Sequence, residues 1–438
     1  MQKGALVKAG QVIARATGTI AATLVASVSG SVDDVRVSDG AADAITIRAD
    51  GSPGWTRIEM AGQEAAGGTP ETIERIISQS GIAIPTRFGT AVIGAEDVES
   101  VIISGINADV YNPSMALIAA SRLADLASAM RILRRIYPAA VIAVALDTRS
   151  RSLLRALRAL VPQGDIEFHL LKPKFPQQRE EMLLPVVLGK GFPRGYKAIN
   201  RGVLVLGLQT ALAVHEAVVL GKPAIDRIVA LGGPGFTRNI HLRARIGTAI
   251  SDIVDSRLRD RGPYRLVENS LLTGRQITAP ATTAVGQETD TIIAVPEKEE
   301  GGFLPFAGPG FRKDSYSFTF ASRFVRLGKE TDTNLHGEER PCISCGFCDE
   351  VCPARILPSL LHRYVKRAVI DETIFRYKIT RCIDCNLCTY VCPSKIDVAS
   401  LVRQGKARPA ADGSRELAPD EPSMPLKGIK INVKEPAL

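Results

Sequence analysis

The sequence predicts a multidomain chain of mixed α/β and α+β class, with a β-rich start, an alternating strand–helix body, a small β-rich domain and a compact helical domain near the end. Three observations predict it. Residues 70–240 alternate apolar, β-prone runs with segments of helical period. Residues 1–50 hold only short β-prone runs, cut by Gly4, Gly10, Gly18, Gly30 and Gly40. All eight cysteines fall between Cys342 and Cys392, in two runs of one spacing. At 438 residues, with 45% hydrophobic and 23% charged side chains, the chain has length for about two to four domains with large cores.

Residues 1–55 read as a small β domain. Gln11–Ala14, Val25–Ser27 and Ala44–Ile47 are its β-prone segments. Residues 51–69 are a Gly-rich connector carrying the one tryptophan, Trp55, which is expected to pack between domains.

The α/β domain occupies residues 70–240. Pro70 suits an early helical position and opens a helix to Ser78. Val101–Ser104 is a short strand of buried type. Ser114–Tyr137 is expected as one long helix, with Leu117, Ala120, Leu123, Leu126, Met130 and Leu133 at helical spacing. Ala139–Leu146 is a strand, Arg149–Leu160 a helix, Ile166–Leu171 a strand and Gln177–Val187 a helix. Gly202–Gly207 is a strand, and Thr210–Leu220 a helix stopped by Gly221. Ile228–Leu231 is the last strand of the domain and opens into Gly232-Gly233-Pro234-Gly235. That loop lacks both the G-x-G-x-x-G spacing and a Walker lysine, so a structural turn is expected there, not a phosphate cradle.

Residues 241–295 form the small β-rich domain, with a helix near Ile246–Asp255. Residues 296–340 are a connector whose phenylalanines, from Phe303 to Phe324, alternate with basic residues; it either docks a partner or wraps on the chain itself. Residues 341–406 hold the cysteines, with mostly helix over Ile356–Lys378 and again after Ile396. Residues 407–438 are a tail rich in proline and charge, expected to be extended.

The two cysteine runs read C-x-x-C-x-x-C-x-x-x-C-P: Cys342, Cys345, Cys348 and Cys352 before Pro353, then Cys382, Cys385, Cys388 and Cys392 before Pro393. This is the two-cluster bacterial ferredoxin spacing, in which the fourth cysteine of each run serves the other cluster. Three cysteines on a tight loop converge on one body of iron and sulfide, while the one before proline points away. The expected ligand sets are therefore Cys342, Cys345, Cys348 and Cys392 for one [4Fe–4S] cluster, and Cys382, Cys385, Cys388 and Cys352 for the other. Zinc sites use two C-x-x-C pairs and have no use for a third evenly spaced cysteine. Disulfides would go with a secreted chain, and a signal peptide is not expected here.

Other classes are excluded. The most apolar stretch, Gly202–Gly221, carries Gln209, His215 and Glu216 and is a poor membrane span. The net charge of +9 suits a membrane surface or acidic redox partners, or simply an ordinary solvated surface. No nucleic-acid motif or dense basic stripe is present. His169, His215, His241, His336 and His362 are scattered without zinc spacing, and His215 on its apolar helix reads as a core histidine.

Five stretches, LLKPKFPQQREEMLLPVVLGKGFPRG, LQTALAVHEAVVLGKPAIDRIVALGG, LRARIGTAISDIV, ILPSLLHRYV and CTYVCPSKIDV, carry a resemblance. They resemble the RnfC and NqrA family, subunits of Rnf and Na+-translocating NADH:quinone oxidoreductase complexes. The N-terminal KGALVKAGQVIARATG and VASVSGSVDDVRV resemble half of a biotinyl/lipoyl-type barrel, with no lysine between Gln11 and Val35 to carry a swinging cofactor. The resemblance implies an incomplete barrel-sandwich domain, a Rossmann-like α/β domain, a β-grasp-like domain and an α-helical dicluster ferredoxin domain.

One departure bears on cofactors. Flavin-carrying members have a loop of the type Gly-Gly-x-Gly-Phe-Pro-Thr, where backbone approaches FMN or NADH. The matching stretch is Ser80-Gly81-Ile82-Ala83-Ile84-Pro85-Thr86, and the family's acidic stretch matches Gly105–Val110, with Asp109 as the one remaining carboxylate. A degraded site at Gly81, Pro85, Thr86 and Asp109 implies an NqrA-like body on an RnfC-like cluster domain, and FMN is not expected.

The resemblance implies an electron-transfer subunit on the inner face of the cell membrane, on the cytoplasmic side, attached through partners. Those partners would be membrane-embedded and flavin-carrying subunits, together with a soluble electron donor or acceptor. Competing readings are an FMN- and NADH-dependent dehydrogenase subunit, a soluble cobalamin-reductase-like flavoprotein and an NqrA-like quinone-site subunit.

Overall fold

The computed structural model describes residues 2–15, 23–38, 41–82, 85–86, 89–90, 98–162, 164–189, 198–259, 262–297, 339–369 and 372–407. The 296–340 connector and the 407–438 tail therefore lie almost wholly outside the described residues.

The chain begins with β1 (Leu6–Val7), β2 (Val12–Arg15), β3 (Thr23–Val25), β4 (Gly30–Ser38) and β5 (Ala41–Ala49). β1, β4 and β5 form one antiparallel sheet and β2–β3 a hairpin, closing over Val7, Ile13, Ala26 and Val32. The connector is sewn to both neighbours: Thr56 N donates to the Ala9 carbonyl at 2.7 Å, and Ile58 N to that of Gly221 at 2.9 Å. Trp55 does reach the next domain, with the Lys222 ammonium 5.9 Å from its ring centroid, but it stays 45% exposed instead of buried between domains.

The body continues with α1 (Pro70–Gln79), the two-residue strands β6 (Pro85–Thr86) and β7 (Gly89–Thr90), β8 (Ser100–Ser104), α2 (Met115–Ser121) and α3 (Leu123–Ile136). β9 (Val141–Asp147), α4 (Arg151–Leu160), β10 (Glu167–Leu171), α5 (Glu180–Leu188), β11 (Val203–Gly207) and α6 (Leu208–His215) follow. Thr69 caps α1 by accepting from Thr72 N, with Pro70 in the first turn. The strands form a four-stranded parallel sheet in the order β10-β9-β8-β11. β8 and β9 are buried almost throughout, as parallel strands covered on both faces must be.

The long helix expected over Ser114–Tyr137 is broken at Arg122, which leaves helical geometry at φ −135°. Its guanidinium binds Asp125 at 2.8 Å and Glu216 at 2.6 Å. Ionic contacts to two elements thus override the apolar period. After α6 a π-helical turn, Glu216–Leu220, runs to Gly221 at φ +66°. His215 is buried there, with Nε2 3.3 Å from Asp125. Burial lowers its pKa; Asp125 and Glu216 raise it in part, and Arg122 and Arg131 lower it further. The stability it contributes is complete above the unfolded value of 6.5 and is lost as pH falls toward the lowered one. Melting temperatures of His215→Gln are expected to fall less than those of the parent between pH 7.5 and 6, to be checked by circular dichroism.

The second unit holds β12 (Asp226–Gly232), β13 (Ile240–Arg245), α7 (Ile250–Val254), β14 (Tyr264–Glu268), β15 (Arg275–Ile277) and β16 (Thr291–Pro296). The sheet order is β13-β12-β16-β14-β15. β12 was expected as the last strand of the α/β domain and instead pairs here. The link to β13 is a short turn, which permits only an antiparallel neighbour, and Val229 and Leu231 bury into this unit's core. The Gly232–Gly235 loop is filled by protein. A Cβ at Gly232 would stand 2.6 Å from that of Tyr111, and one at Gly233 2.5 Å from the Ala294 carbonyl oxygen.

The last unit holds α8 (Phe347–Val351), α9 (Pro358–Lys366), α10 (Glu372–Arg376), α11 (Leu387–Tyr390) and α12 (Val398–Ala407). Among the described residues of the expected Ile356–Lys378 span, helix is confined to α9 and α10. Leu361, Val365, Ile379, Ile396 and Val402 form the core, and Gly405 lets α12 close onto Val365. No helix among the described residues is long and apolar enough to cross a membrane.

Candidate iron–sulfur site

The cysteines sit on two copies of one device, forty residues apart in sequence. In the first copy Ser344, Gly346 and Arg355 have φ of +56°, +76° and +51°. Their counterparts Asp384, Asn386 and Lys395 have +55°, +60° and +58°. Left-handed residues between and after the cysteines curl each loop around its thiols, at a cost in backbone strain that non-glycine residues bear. A short helix follows each loop (α8, α11) and a longer one comes next (α9, α12). The Asp349 carboxylate caps α9, accepting from Ser359 N at 2.9 Å. The Thr389 hydroxyl accepts from Ala399 N at 2.9 Å in α12. This repeat was available in the constant offset between the runs.

The thiols gather across the two copies. One cavity is walled by Cys352, Cys382, Cys385 and Cys388, among Pro353, Ile356, Ile383, Leu387 and Val402. Burial pushes the Cys388 thiol up, and those of Cys385, Cys382 and Cys352 push it further. Burial likewise raises Cys385, to which Cys352 adds, and carries Cys382 to about 11. On the other side burial, Asp349 and then Cys345 and Cys392 bring Cys348 to about 12. Cys392 is raised by burial and by Cys345 and Cys342. Thus Cys352 influences the second run and Cys392 the first. Among the described residues no three His, Cys, Asp or Glu side chains converge on a single-ion point. Thiolates crowded in low dielectric are costly until cationic iron compensates them, so this donor set fits iron–sulfur clusters.

The two sets differ in surroundings. At the first, burial raises Cys342, but the Arg363 hydrogen bond at 3.1 Å, a backbone hydrogen bond at Ser344 and the guanidinium charge leave it below its usual value. Cys345 is exposed. The second set is seated on the body. Ile383, Cys385 and Leu387 pack with Phe175 and with Met182 of α5, and the Asn386 side-chain amide donates to the Leu272 carbonyl. Arg363, Asn386 and Met182 carried no recognisable sequence signal.

The residues expected at a degraded flavin loop are engaged by protein. Gly81 has φ +75°, and a Cβ on it would stand 2.9 Å from a Val25 methyl. Its carbonyl accepts from Gln287 at 2.5 Å. Ser80 is buried, its hydroxyl donating to the Ile77 carbonyl at 2.6 Å, and Ile82 packs against the core of the first unit. Pro85 and Thr86 pair with β7, and Ala83 and Ile84 lie outside the described residues. Asp109 accepts from Gln178 at 2.6 Å and from Ser270 at 2.7 Å, joining the first and second units. Burial raises its pKa against those hydrogen bonds and the Arg179 charge. Ligands of doubly wound sheets bind beyond the strand ends where the order reverses, here between β8 and β11. There, a Cβ at Gly105 would meet Leu146 at 2.9 Å and Leu208 at 3.3 Å.

Residues 341–396 match the 4Fe-4S dicluster domain. Over 373 residues the chain is 27% identical to the C component of the ion-translocating oxidoreductase complex of Pseudomonas aeruginosa, covering 83% of this chain and 44% of that protein. Over 430 residues it is 26% identical to the C component of the proton-translocating ferredoxin:NAD(+) oxidoreductase complex of Clostridium ljungdahlii, covering 95% and 86%. The chain is a homologue of these C components. The likeness includes the body as well as the cysteine domain, and two [4Fe–4S] clusters are the cofactors of that domain. The homologue spans less than half the length of its Pseudomonas relative. A solved NAD+-reducing [NiFe]-hydrogenase in the H2-reduced state aligns with 55% of this chain and 50% of its own, at 17% identity and a TM-score of 0.41.

Proposed function

We propose that this chain is an electron-relay subunit of a membrane-associated, ion-translocating oxidoreductase complex. Two four-cysteine sets carry the reading: Cys342, Cys345, Cys348 and Cys392 for an outer cluster, and Cys382, Cys385, Cys388 and Cys352 for an inner one. Each cluster, when bound, takes up and gives back one electron. The chain's own residues hold the thiols, shield the inner set against α5 and leave the outer set open.

Membrane-embedded and flavin-carrying partner subunits would supply the membrane anchorage and the coupling to ion movement, with this chain peripheral on the cytoplasmic face. The chain is read as a relay and not as the NADH entry point because Gly81 and Asp109 are committed to contacts between units. The same reading makes residues 1–55 a barrel-sandwich domain and the unit from β12 to β16 a β-grasp-like domain.

Anaerobically purified protein is expected to hold about eight iron and as much sulfide. It should contain no flavin, and its visible absorbance should be bleached by dithionite but not by NADH. Stoichiometric flavin with bleaching by NADH would make this chain the dehydrogenase and end the relay reading.

A further inference from the structure

We propose that the basic cleft beside Cys342 is the docking site of an acidic redox protein that exchanges electrons with the outer cluster. The proposal deepens the relay reading and rests on it. The cleft is open, about 610 Å³, and Cys342 is part of its wall. Arg340, Arg363, Lys366 and Arg367 line it, against the single carboxylate of Glu339. Arg363 joins the charge to the sulfur, since one Nη donates to both Cys342 Sγ at 3.1 Å and Ser344 Oγ at 2.6 Å. Ile343, the residue after Cys342, is 54% exposed. A field of one sign around a redox group steers an oppositely charged partner and fixes its register.

The internal repeat makes the argument specific. The positions of Arg363 and Lys366 on α9 correspond to Arg403 and Lys406 on α12. The second pair is spent internally. Arg403 donates to Asn386 Oδ1 at 3.2 Å, and Lys406 to the Cys382 carbonyl at 2.8 Å and Asp384 at 2.9 Å. Asn386 is in turn bound to the body through Leu272. One fold copy therefore uses its cations to close the inner set onto the body. In the other, Arg363 is bound to Cys342 and Ser344 and Lys366 pairs with the exposed Glu339 at 2.5 Å, so these cations stay on the open side of the outer set, in net excess over that one carboxylate. A partner from outside meets the outer cluster, and the inner one connects to the body.

The test measures reduction of the cluster-loaded full chain by a photoreduced, acidic two-[4Fe–4S] ferredoxin in stopped flow. Three variants are compared: Lys366→Glu, Arg367→Glu and Arg151→Glu, the last an exposed position on α4 of the body that controls for net charge. The first two should lose at least about tenfold in rate at low salt and much of the salt dependence, and the third should stay near the parent. Dithionite should reduce all four proteins alike. Equal rates across the three variants would overturn the proposal. So would variants that lose only sedimentation with anionic phosphatidylglycerol vesicles while keeping the ferredoxin rate, because the cleft would then face lipid. If the parent holds no clusters that dithionite reduces, the relay reading itself fails and takes this proposal with it. Intact clusters with unaffected variants reject the docking site alone.

Discussion

Alanine at both Cys352 and Cys388 is expected to leave about four of about eight iron atoms, whereas alanine at Cys352 and Cys348 leaves almost none. The two double variants remove the same number of thiols. The first pair lies in one sequence-distant but spatially common set, and the second pair spans two sets. Iron counting thus tests the crossed ligation without any spectral assignment. The expectation comes from the inner cavity, whose walls include Cys352 with all three loop cysteines of the second run. It also comes from the electrostatic influence of Cys352 on Cys385 and Cys388, and of Cys392 on Cys348. Run-by-run ligation predicts the reverse: about four iron in the Cys352 and Cys348 variant, almost none in the other. A third variant, with alanine at Cys345 and Cys392, should also keep about four, guarding against loss of fold in any one protein.

The cysteine chemistry was legible because ligand spacing is a local property. Three thiols on one tight loop and a fourth before proline restrict the geometry whatever surrounds them. The alternation of the body was legible for a similar reason: β8, β9 and β11 are buried on both faces and read as continuous apolar runs. Sequence failed where charge or topology competed with period. Leu117, counted toward the buried face of one long helix, is 59% exposed, because Arg122 bends the chain to reach Glu216. The Ile228–Leu231 part of β12 is as apolar as the earlier strands, and nothing in those residues reveals which sheet they join; the short turn into β13 settles that. Asp109 looked like a remnant of a cofactor site because its partners, Gln178 and Ser270, stand 69 and 161 residues away. The asymmetry between the clusters was equally hidden. Arg363 and Arg403 occupy equivalent positions, and only tertiary contacts show that one reaches a cysteine and the other does not.

Lys222→Met is expected to destabilise the protein by about 3–5 kcal/mol, the usual cost of removing one member of a buried ionic group. The Lys222 side chain is 7% exposed and its ammonium lies 2.9 Å from both Glu216 and Asp226, which are 12% and 13% exposed. Without it the two carboxylates face each other. Arg122 still holds Glu216 at 2.6 Å, but Asp226 keeps only the looser Arg245 and Arg243, at 3.7 and 3.9 Å. The effect should reach the clusters. Glu216 opens the last helical turn of the first unit and Asp226 opens the second, so Lys222 ties the two units together. The inner cysteine loop rests on both, through Met182 of the first and Leu272 of the second. Urea unfolding should show a lower midpoint for Lys222→Met, and dithionite-reducible absorbance should be lost at lower urea than in the parent. Adding Glu216→Gln removes the facing charge and should restore part of the loss, because the sites share one network. Strict additivity of the two substitutions would instead mean that Lys222 acts through its packing on Trp55, and that the seat of the inner cluster does not depend on this ion group.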